Sequence, residues 1–322
     1  MGIWSSDVSE VVLRTEGLTK SYGKLKAVDQ LNLEIYKGEV FGFLGPNGAG
    51  KTTSINMMCG LLKPDSGRVV IHGKPITEGD ADVRARVGVC PQEVVLWDRM
   101  TCLEQLQFMG EMYGMTSKAA RLSGNHLLEE FDLIEKGHAQ ARTLSGGMRR
   151  RLNLAVSVVH DPDLVVLDEP EVGLDPQSRL KVREYIRSLA KEKTVILTTH
   201  NMDEADRVAD RVAIIDHGVL LVLDTPKALK SRAGEGNVLE IHLMDKDVDK
   251  DQVQEALAEL GESVSTDVMD GQLQVRAPNA LALLPKIMEI LSVMDITSGE
   301  VHMRENTLED VFIQLTGRRL RP

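Results

Sequence analysis

The period of apolar and polar positions changes several times along the chain, and each change predicts a different element. Between residues 11 and 44, the runs "VVLRTEGL", "AVDQLNLEI" and "EVFGFLG" have strand character and are separated by turn signals such as "YKGE". Helix and strand then alternate: a helix from about Lys51, strands near Arg68 and Val87, several helices from Cys102 to His160, and the strands "LVVLD" and "TVILTTH". This alternation predicts a parallel sheet covered by helices.

The composition changes at "KSRAGEGN", residues 230–237, a Gly- and charge-rich stretch that reads as a linker. Beyond it the order is strand "VLEIHLM", helix "KDQVQEALAEL", strands "VSTDVM" and "QLQVRA", helix "ALALLPKIMEIL" and strand "SGEVHM", closed by the helix "TLEDVFIQLTG". That βαββαβ order predicts a small ferredoxin-like α+β domain. The expected division is an N-terminal extension (1–10), an α/β domain (11–232) and a C-terminal domain (233–322).

Composition narrows the function more than the fold. A chain of 322 residues can bury a substantial core, and its net charge of -11 argues against nucleic acid as a partner, because neutralising phosphates takes a surplus of Lys and Arg. Cys59, Cys90 and Cys102 form no C-x-x-C pair and are odd in number, so neither a disulfide framework nor a zinc site is expected. A reducing, cytosolic compartment fits them best. No apolar run is long enough to span a bilayer, and "MGIWSSDVSE" lacks the basic and apolar regions of a secretory signal, so the chain is expected to be neither secreted nor self-inserting.

The strongest local signal is "GPNGAGKTT", Gly45, Pro46, Asn47, Gly48, Ala49, Gly50, Lys51, Thr52 and Thr53, which satisfies G-x-x-x-x-G-K-[ST] between a strand and a helix. The glycines let successive backbone amides face phosphate oxygens, and the helix N-terminus adds partial positive charge. Lys51 is then expected to reach the β and γ phosphates of a nucleotide, and the Thr52 hydroxyl to ligate Mg2+. The acidic stretch "DLVVLDEPEVGLD" supplies what this loop lacks. Asp168, at the end of a buried strand, is expected on the metal side, and Glu169, beyond it, is expected to orient and partly deprotonate the attacking water. Asp163 reads as a turn residue.

These motifs, in this order, resemble the ATP-binding cassette ATPases over about residues 11–232. The resemblance implies a P-loop NTPase cassette with a mixed sheet core, an antiparallel β subdomain and a helical subdomain at about 93–160. "LSGGMRRRL" is similar to the family's signature sequence. It implies that Ser145, Gly146 and Gly147 face the γ-phosphate of a nucleotide held by a second subunit, identical or paralogous, in a head-to-tail dimer. By itself Ser-Gly-Gly is a good helix N-cap. The arginines that follow read as a solvated helix face.

The same resemblance assigns Gln92 to the loop that approaches magnesium and water, Tyr22 to adenine stacking, His200 to the switch histidine that contacts the γ-phosphate and steadies Glu169, and Asp175 to the dimer-crossing loop. Without it, Gln92 is a surface amide, Tyr22 a packing residue and His200 a capping histidine. Glu171 departs from the pattern, standing where the family usually has a small hydroxyl residue, and is expected to point to solvent.

The ending "ENTLEDVFIQLTGRRLRP" resembles the tail of drug-resistance-type cassettes, which power separate, polytopic ABC-2-type membrane permeases. It implies a cytoplasmic ATPase held peripherally on the inner face of the cell membrane, exporting or flipping an amphipathic or lipid-like substrate. Alternatively, "TLEDVFIQL" is an amphipathic docking helix that says nothing of direction. For the whole chain, the alternative is a soluble cassette acting on a ribosome, DNA or an assembly factor. A single P-loop and the lack of a long heptad insertion weigh against the soluble types.

Overall fold

The computed structural model describes residues 10–76, 85–232, 237–245, 248–261, 264–269, 271–277 and 279–317. Apart from Glu10, the N-terminal extension lies outside the described residues, as do residues 233–236 of the "KSRAGEGN" stretch. The described chain forms two compact units divided between Thr225 and Pro226.

Two sheets build the first unit. Strands β1 (Val11–Tyr22), β2 (Leu25–Tyr36), β4 (Ser66–Ile71) and β5 (Lys74–Pro75) form an antiparallel sheet in the order β2-β1-β4-β5. Strands β3 (Val40–Leu44), β6 (Val87–Cys90), β7 (Leu164–Asp168), β8 (Thr194–Thr199), β9 (Arg211–Asp216) and β10 (Val219–Asp224) form a six-stranded sheet, β10-β9-β3-β8-β7-β6. All its pairings are parallel except β9 with β10. Strands β9 and β10 were not singled out in the sequence.

The continuous apolar runs have a physical cause, because β3, β7 and β8 are buried along their whole length. Successive side chains alternate between two cores. Leu164, Val166 and Ile196 pack with Phe41, Phe43 and residues of the antiparallel sheet and of α1 (Lys51–Met58). Val165, Leu167, Val195 and Leu197 pack on the other side with the helical layer.

That layer contains α2 (Cys102–Met112), α3 (Ser117–Glu130), α4 (Gly146–Val158) and α5 (Pro176–Leu189). The first three begin at side-chain caps, Thr101, Thr116 and Ser145. Residues Thr101 and Glu104 form a complete capping box. Helix α6 (Met202–Val208) follows β8. The three cysteines are buried and free.

The second unit contains α7 (Pro226–Arg232), β11 (Asn237–Leu243), α8 (Lys250–Ala258), β12 (Ser265–Met269), β13 (Gln272–Ala277), α9 (Ala280–Val293), β14 (Ser298–Glu305) and α10 (Leu308–Thr316). Its antiparallel sheet runs β12-β13-β11-β14, the arrangement that a ferredoxin-like βαββαβ chain produces. Helix α7, assigned to the first domain from sequence, packs with α10 in this unit. The composition change at residue 230 was more visible than the break at Pro226.

The last helix is held by charge as well as by its buried Leu308, Val311 and Phe312. Asp310 is 3% exposed and accepts hydrogen bonds from Arg276 and Arg304, the latter also reaching Glu240 on β11. Burial pushes the Asp310 carboxyl up, but bonds from Arg304, the Thr307 amide and hydroxyl, and Arg276 outweigh it and hold the acid well below its usual range.

Gly88 on β6 marks the closest approach of sheet and helix: an added Cβ would lie 2.1 Å from the Ser157 carbonyl oxygen on α4. Gly88→Ala is expected to destabilise the first unit by about 1–3 kcal/mol. A denaturation midpoint unchanged from wild type would show that this contact has slack.

Candidate active site

The loop after β3 is shaped by two glycines that no other residue can replace without moving backbone. A Cβ on Gly45 would lie 2.4 Å from the Ile215 carbonyl oxygen, and one on Gly50 would lie 2.2 Å from that of Ala27. Gly50, with φ 101°, caps α1 without offering a side-chain acceptor, so the first-turn amides remain available to an anion. Asn47, Gly48 and Thr52 are exposed, Pro46 and Thr53 partly so, and Ala49 is buried.

The Lys51 side chain lies inside this cradle, only 7% exposed. Its ammonium donates to the carbonyls of Gly45 (2.7 Å) and Pro46 (3.2 Å) and stands 3.8 Å from Glu169 Oε1. Burial lowers its proton affinity, and the nearby Glu169 and Asp168 carboxylates work in the opposite direction.

Asp168 and Glu169 end β7 at the carboxyl edge of the sheet, where open α/β sheets bind ligands. Thr198, fully buried on β8, ties them together. Its hydroxyl donates to Asp168 Oδ1 and accepts from the Glu169 amide at 3.1 Å, while its carbonyl accepts from the same amide. Glu169 has a φ of 46°, an uncommon backbone state for a non-glycine residue. Its carboxylate faces His200, whose Nδ1 lies 3.0 Å from both oxygens. Lys51, Asp168, Glu169 and His200 therefore form one cluster.

A second cluster forms around the start of α4. The Ser145 hydroxyl accepts from the Met148 amide at 3.3 Å. Gly147 lies against the start of α5, where a Cβ would stand 2.8 Å from Ser178 Oγ. Asp175 caps α5, accepting from the amides of Gln177 and Ser178 and from the Ser178 hydroxyl at 2.7 Å. Those bonds, the Ser178 hydroxyl foremost, lower the proton affinity of Asp175. Ser145, Gly146 and Asp175 are exposed, as are Gln92 and Tyr22, which is 52% accessible at the end of β1. Among the described residues no hydrogen bond or ion pair joins Ser145, Gly146, Gly147 or Asp175 to the phosphate-binding loop.

Two expectations fail here. The arginines after Ser145 are not a solvated face: Arg150 is 2% exposed, Arg149 pairs with Asp98, and Arg151 donates to the Phe131 carbonyl. The run points in three directions because a helix turns about 100° per residue. Glu171 does not point to solvent. Both of its carboxyl oxygens are buried without a well-formed hydrogen bond, with Arg183 Nε 3.4 Å away and Glu204, itself paired with Arg183, adjacent. Burial, then contact with Glu204, pushes the Glu171 carboxyl up to about 8. Asp163, by contrast, sits in the exposed turn before β7.

Thr198 and Arg150 are the site residues that sequence reasoning missed. A Thr two positions before His200 on the strand beside β7 was the available signal for the first. For the second there was only its place five residues beyond Ser145.

A phosphate cradle beside an acid and a base-bearing turn suits cleavage of a nucleotide's terminal phosphate, which puts the protein among the P-loop ATPases. Residues 28–172 match the ABC transporter family. The chain is 39% identical to the daunorubicin/doxorubicin resistance ATP-binding protein DrrA of Streptomyces peucetius over 306 residues, 95% of this chain and 92% of that protein. It is 34% identical to the linearmycin resistance ATP-binding protein LnrL of Bacillus subtilis, covering 96% of this chain and all (100%) of that protein. Identity to a Nod factor export ATP-binding protein I of Ralstonia nicotianae is 39%, over 97% and 96% of the two chains. Among solved structures, the ATP-binding cassette MJ1267 in its ADP conformation aligns with a TM-score of 0.63 at 26% identity, over 68% of this chain and 93% of that one. The dimeric cassette MJ0796 aligns at 0.61 and 25%, over 66% and 98%. The chain belongs to the ATP-binding subunits of ABC transporters, and it is an ATPase.

Thr198→Val removes both hydroxyl bonds and is expected to lower unfolding free energy by about 1–3 kcal/mol, with turnover reduced as Asp168 loses its donor. Unchanged stability together with unchanged turnover would deny the tie its role. Glu171 gives a pH test. Its carboxyl is raised from 4.5 to about 8 in the folded protein, so its contribution to stability is complete below 4.5 and disappears as pH rises through about 8. Glu171→Gln should therefore gain thermal stability relative to wild type as pH rises from about 4.5 to about 8, and level off above it. A stability difference independent of pH would refute the raised carboxyl.

Proposed function

We propose that this chain is the ATP-hydrolysing subunit of an exporter, working as a head-to-tail dimer with nucleotide sandwiched between subunits and driving a separate ABC-2-type permease. The observation that carries the dimer is the separation of the two clusters. The Lys51–Asp168–Glu169–His200 group provides one half of a nucleotide site, and among the described residues no hydrogen bond or ion pair joins Ser145, Gly146 or Gly147 to the phosphate-binding loop. A second copy, or a paralogue, completes it.

In this reading the amides after Gly45 and the Lys51 ammonium bind the β and γ phosphates, and Tyr22 stacks on adenine. Glu169 takes a proton from the attacking water, and His200 steadies the carboxylate from 3.0 Å. Thr52, Gln92 and Asp168 would hold Mg2+, which when bound draws charge from the phosphate oxygens. The residues fit such an ion. Among the described residues no cluster of three or more His, Cys, Asp or Glu forms a dedicated cage, and Mg2+ binds through few protein ligands plus phosphate and water.

Asp175 makes the contact across the dimer, and Gln92 transmits its state to the permease. Resistance and export in the relatives' names support outward transport. The substrate in this reading is amphipathic or lipid-like. No helix among the described residues is long and apolar enough to cross a membrane, in keeping with peripheral attachment to the inner membrane face through the permease. The first unit is then the ATPase domain and the second an accessory domain.

Glu169→Gln should bind ATP and hydrolyse none. Tagged and purified with ATP from solubilised native membranes, it should bring down a polytopic membrane protein in stoichiometric amount. Ribosomal or other soluble partners instead would support a soluble cassette, and normal turnover by this variant would remove Glu169 from its role.

A further inference from the structure

We propose that Arg150 is a positioning residue for ATP hydrolysis, clamping the loop that carries Gln92 to the turn that carries Asp168 and Glu169. The inference rests on the roles proposed above for those three residues. A guanidinium has five N–H donors in a fixed plane, and Arg150 directs every nitrogen at backbone carbonyls. Nη1 donates to the carbonyls of Pro91 and Gln92, both at 2.8 Å. Nη2 donates to those of Asp168 (3.0 Å) and Glu169 (2.9 Å), and Nε to that of Pro170 (2.9 Å).

The choice of acceptors is informative. A buried cation ordinarily finds a carboxylate, because an uncompensated charge is costly inside a protein. Arg150 has two within the residues it touches, yet its bonds go to the main chain, so this cation takes up none of the side chains of Gln92, Asp168 and Glu169. It also holds the carbonyl of Glu169, whose backbone is in the uncommon left-handed region. Since Arg150 stands on α4, five residues after the Ser145 cap, a shift of the signature turn moves the carbonyls of the hydrolytic turn with it. Helix, glutamine loop and catalytic turn thus behave as one body. Packing alone would be served by an apolar side chain, but only a planar, multidentate donor fixes two loops in mutual register.

The test compares the purified full chain with Arg150→Lys and Arg150→Met, measuring thermal unfolding, ATP affinity, and turnover as a function of Mg2+ concentration. The expected result is cooperative unfolding and ATP affinity within about threefold of wild type, with kcat down by at least about tenfold in the Met variant, or about 1.4 kcal/mol in barrier. Half-saturation by Mg2+ should rise in the same variant, and Lys, with three donors in place of five, should recover part of both effects.

Turnover and Mg2+ dependence within about twofold of wild type in a folded Met variant would overturn the proposal. So would failure of both variants to fold, or a loss of kcat with unaltered Mg2+ dependence, each of which assigns Arg150 a structural role only. Glu169→Gln assayed in parallel separates the two ways of failing. Turnover by that variant would sink the site roles themselves, whereas an inactive Glu169→Gln beside a wild-type-like Arg150→Met sinks only this inference.

Discussion

A buried parallel sheet must satisfy its backbone polar groups from within, and at the strand ends the ladder no longer does so. The carbonyls of Pro91, Gln92, Asp168, Glu169 and Pro170 emerge from β6 and β7 into the protein interior, and one arginine answers all five. On the neighbouring strand, Thr198 answers the Glu169 amide. Where chemistry is proposed, the same groups that need hydrogen bonds for stability are those whose positions set the reacting side chains. Stability and function here draw on a shared set of contacts.

The electrostatic arrangement follows from this division of labour. Arg150 is solvated by backbone carbonyls and takes up neither the Asp168 nor the Glu169 carboxyl group, and on the side of the phosphate-binding loop Lys51 stands 3.8 Å from Glu169. Glu171, one turn further along, is handled differently. It is enclosed beside Glu204 with a single guanidinium, that of Arg183, between two carboxyl groups, and it keeps a proton that an exposed glutamate would lose.

Much of this was legible in the chain, for identifiable reasons. The phosphate-binding loop could be read because its glycines answer local demands, the close approaches at Gly45 and Gly50, that only one residue type meets. The continuous apolar runs of β3, β7 and β8 declared themselves because both faces are covered. Arg150 was illegible because "RRR" looks alike on either face of a helix, and its partners come from loops 58 to 59 and 18 to 20 residues away. Glu171 was noticed as a departure, but its burial depends on Arg183 and Glu204, brought to it by α5 and α6. The unit boundary was misplaced for a simpler reason: a change in composition is visible in sequence, and the packing of a seven-residue helix is not.

The anchoring of α10 has a consequence for the order in which the protein matures during synthesis. The charges of Arg276 and Arg304, set on β13 and β14, are matched by Asp310, which lies C-terminal to both. A nascent chain can present the whole six-stranded sheet of the first unit once β10 has emerged, since every strand of that sheet precedes residue 225. The second unit must wait for its last helix: until Asp310 arrives, Arg276 lacks its carboxylate and Arg304 has only Glu240. The two units are therefore complete at different times as the chain emerges, the first unit before the second.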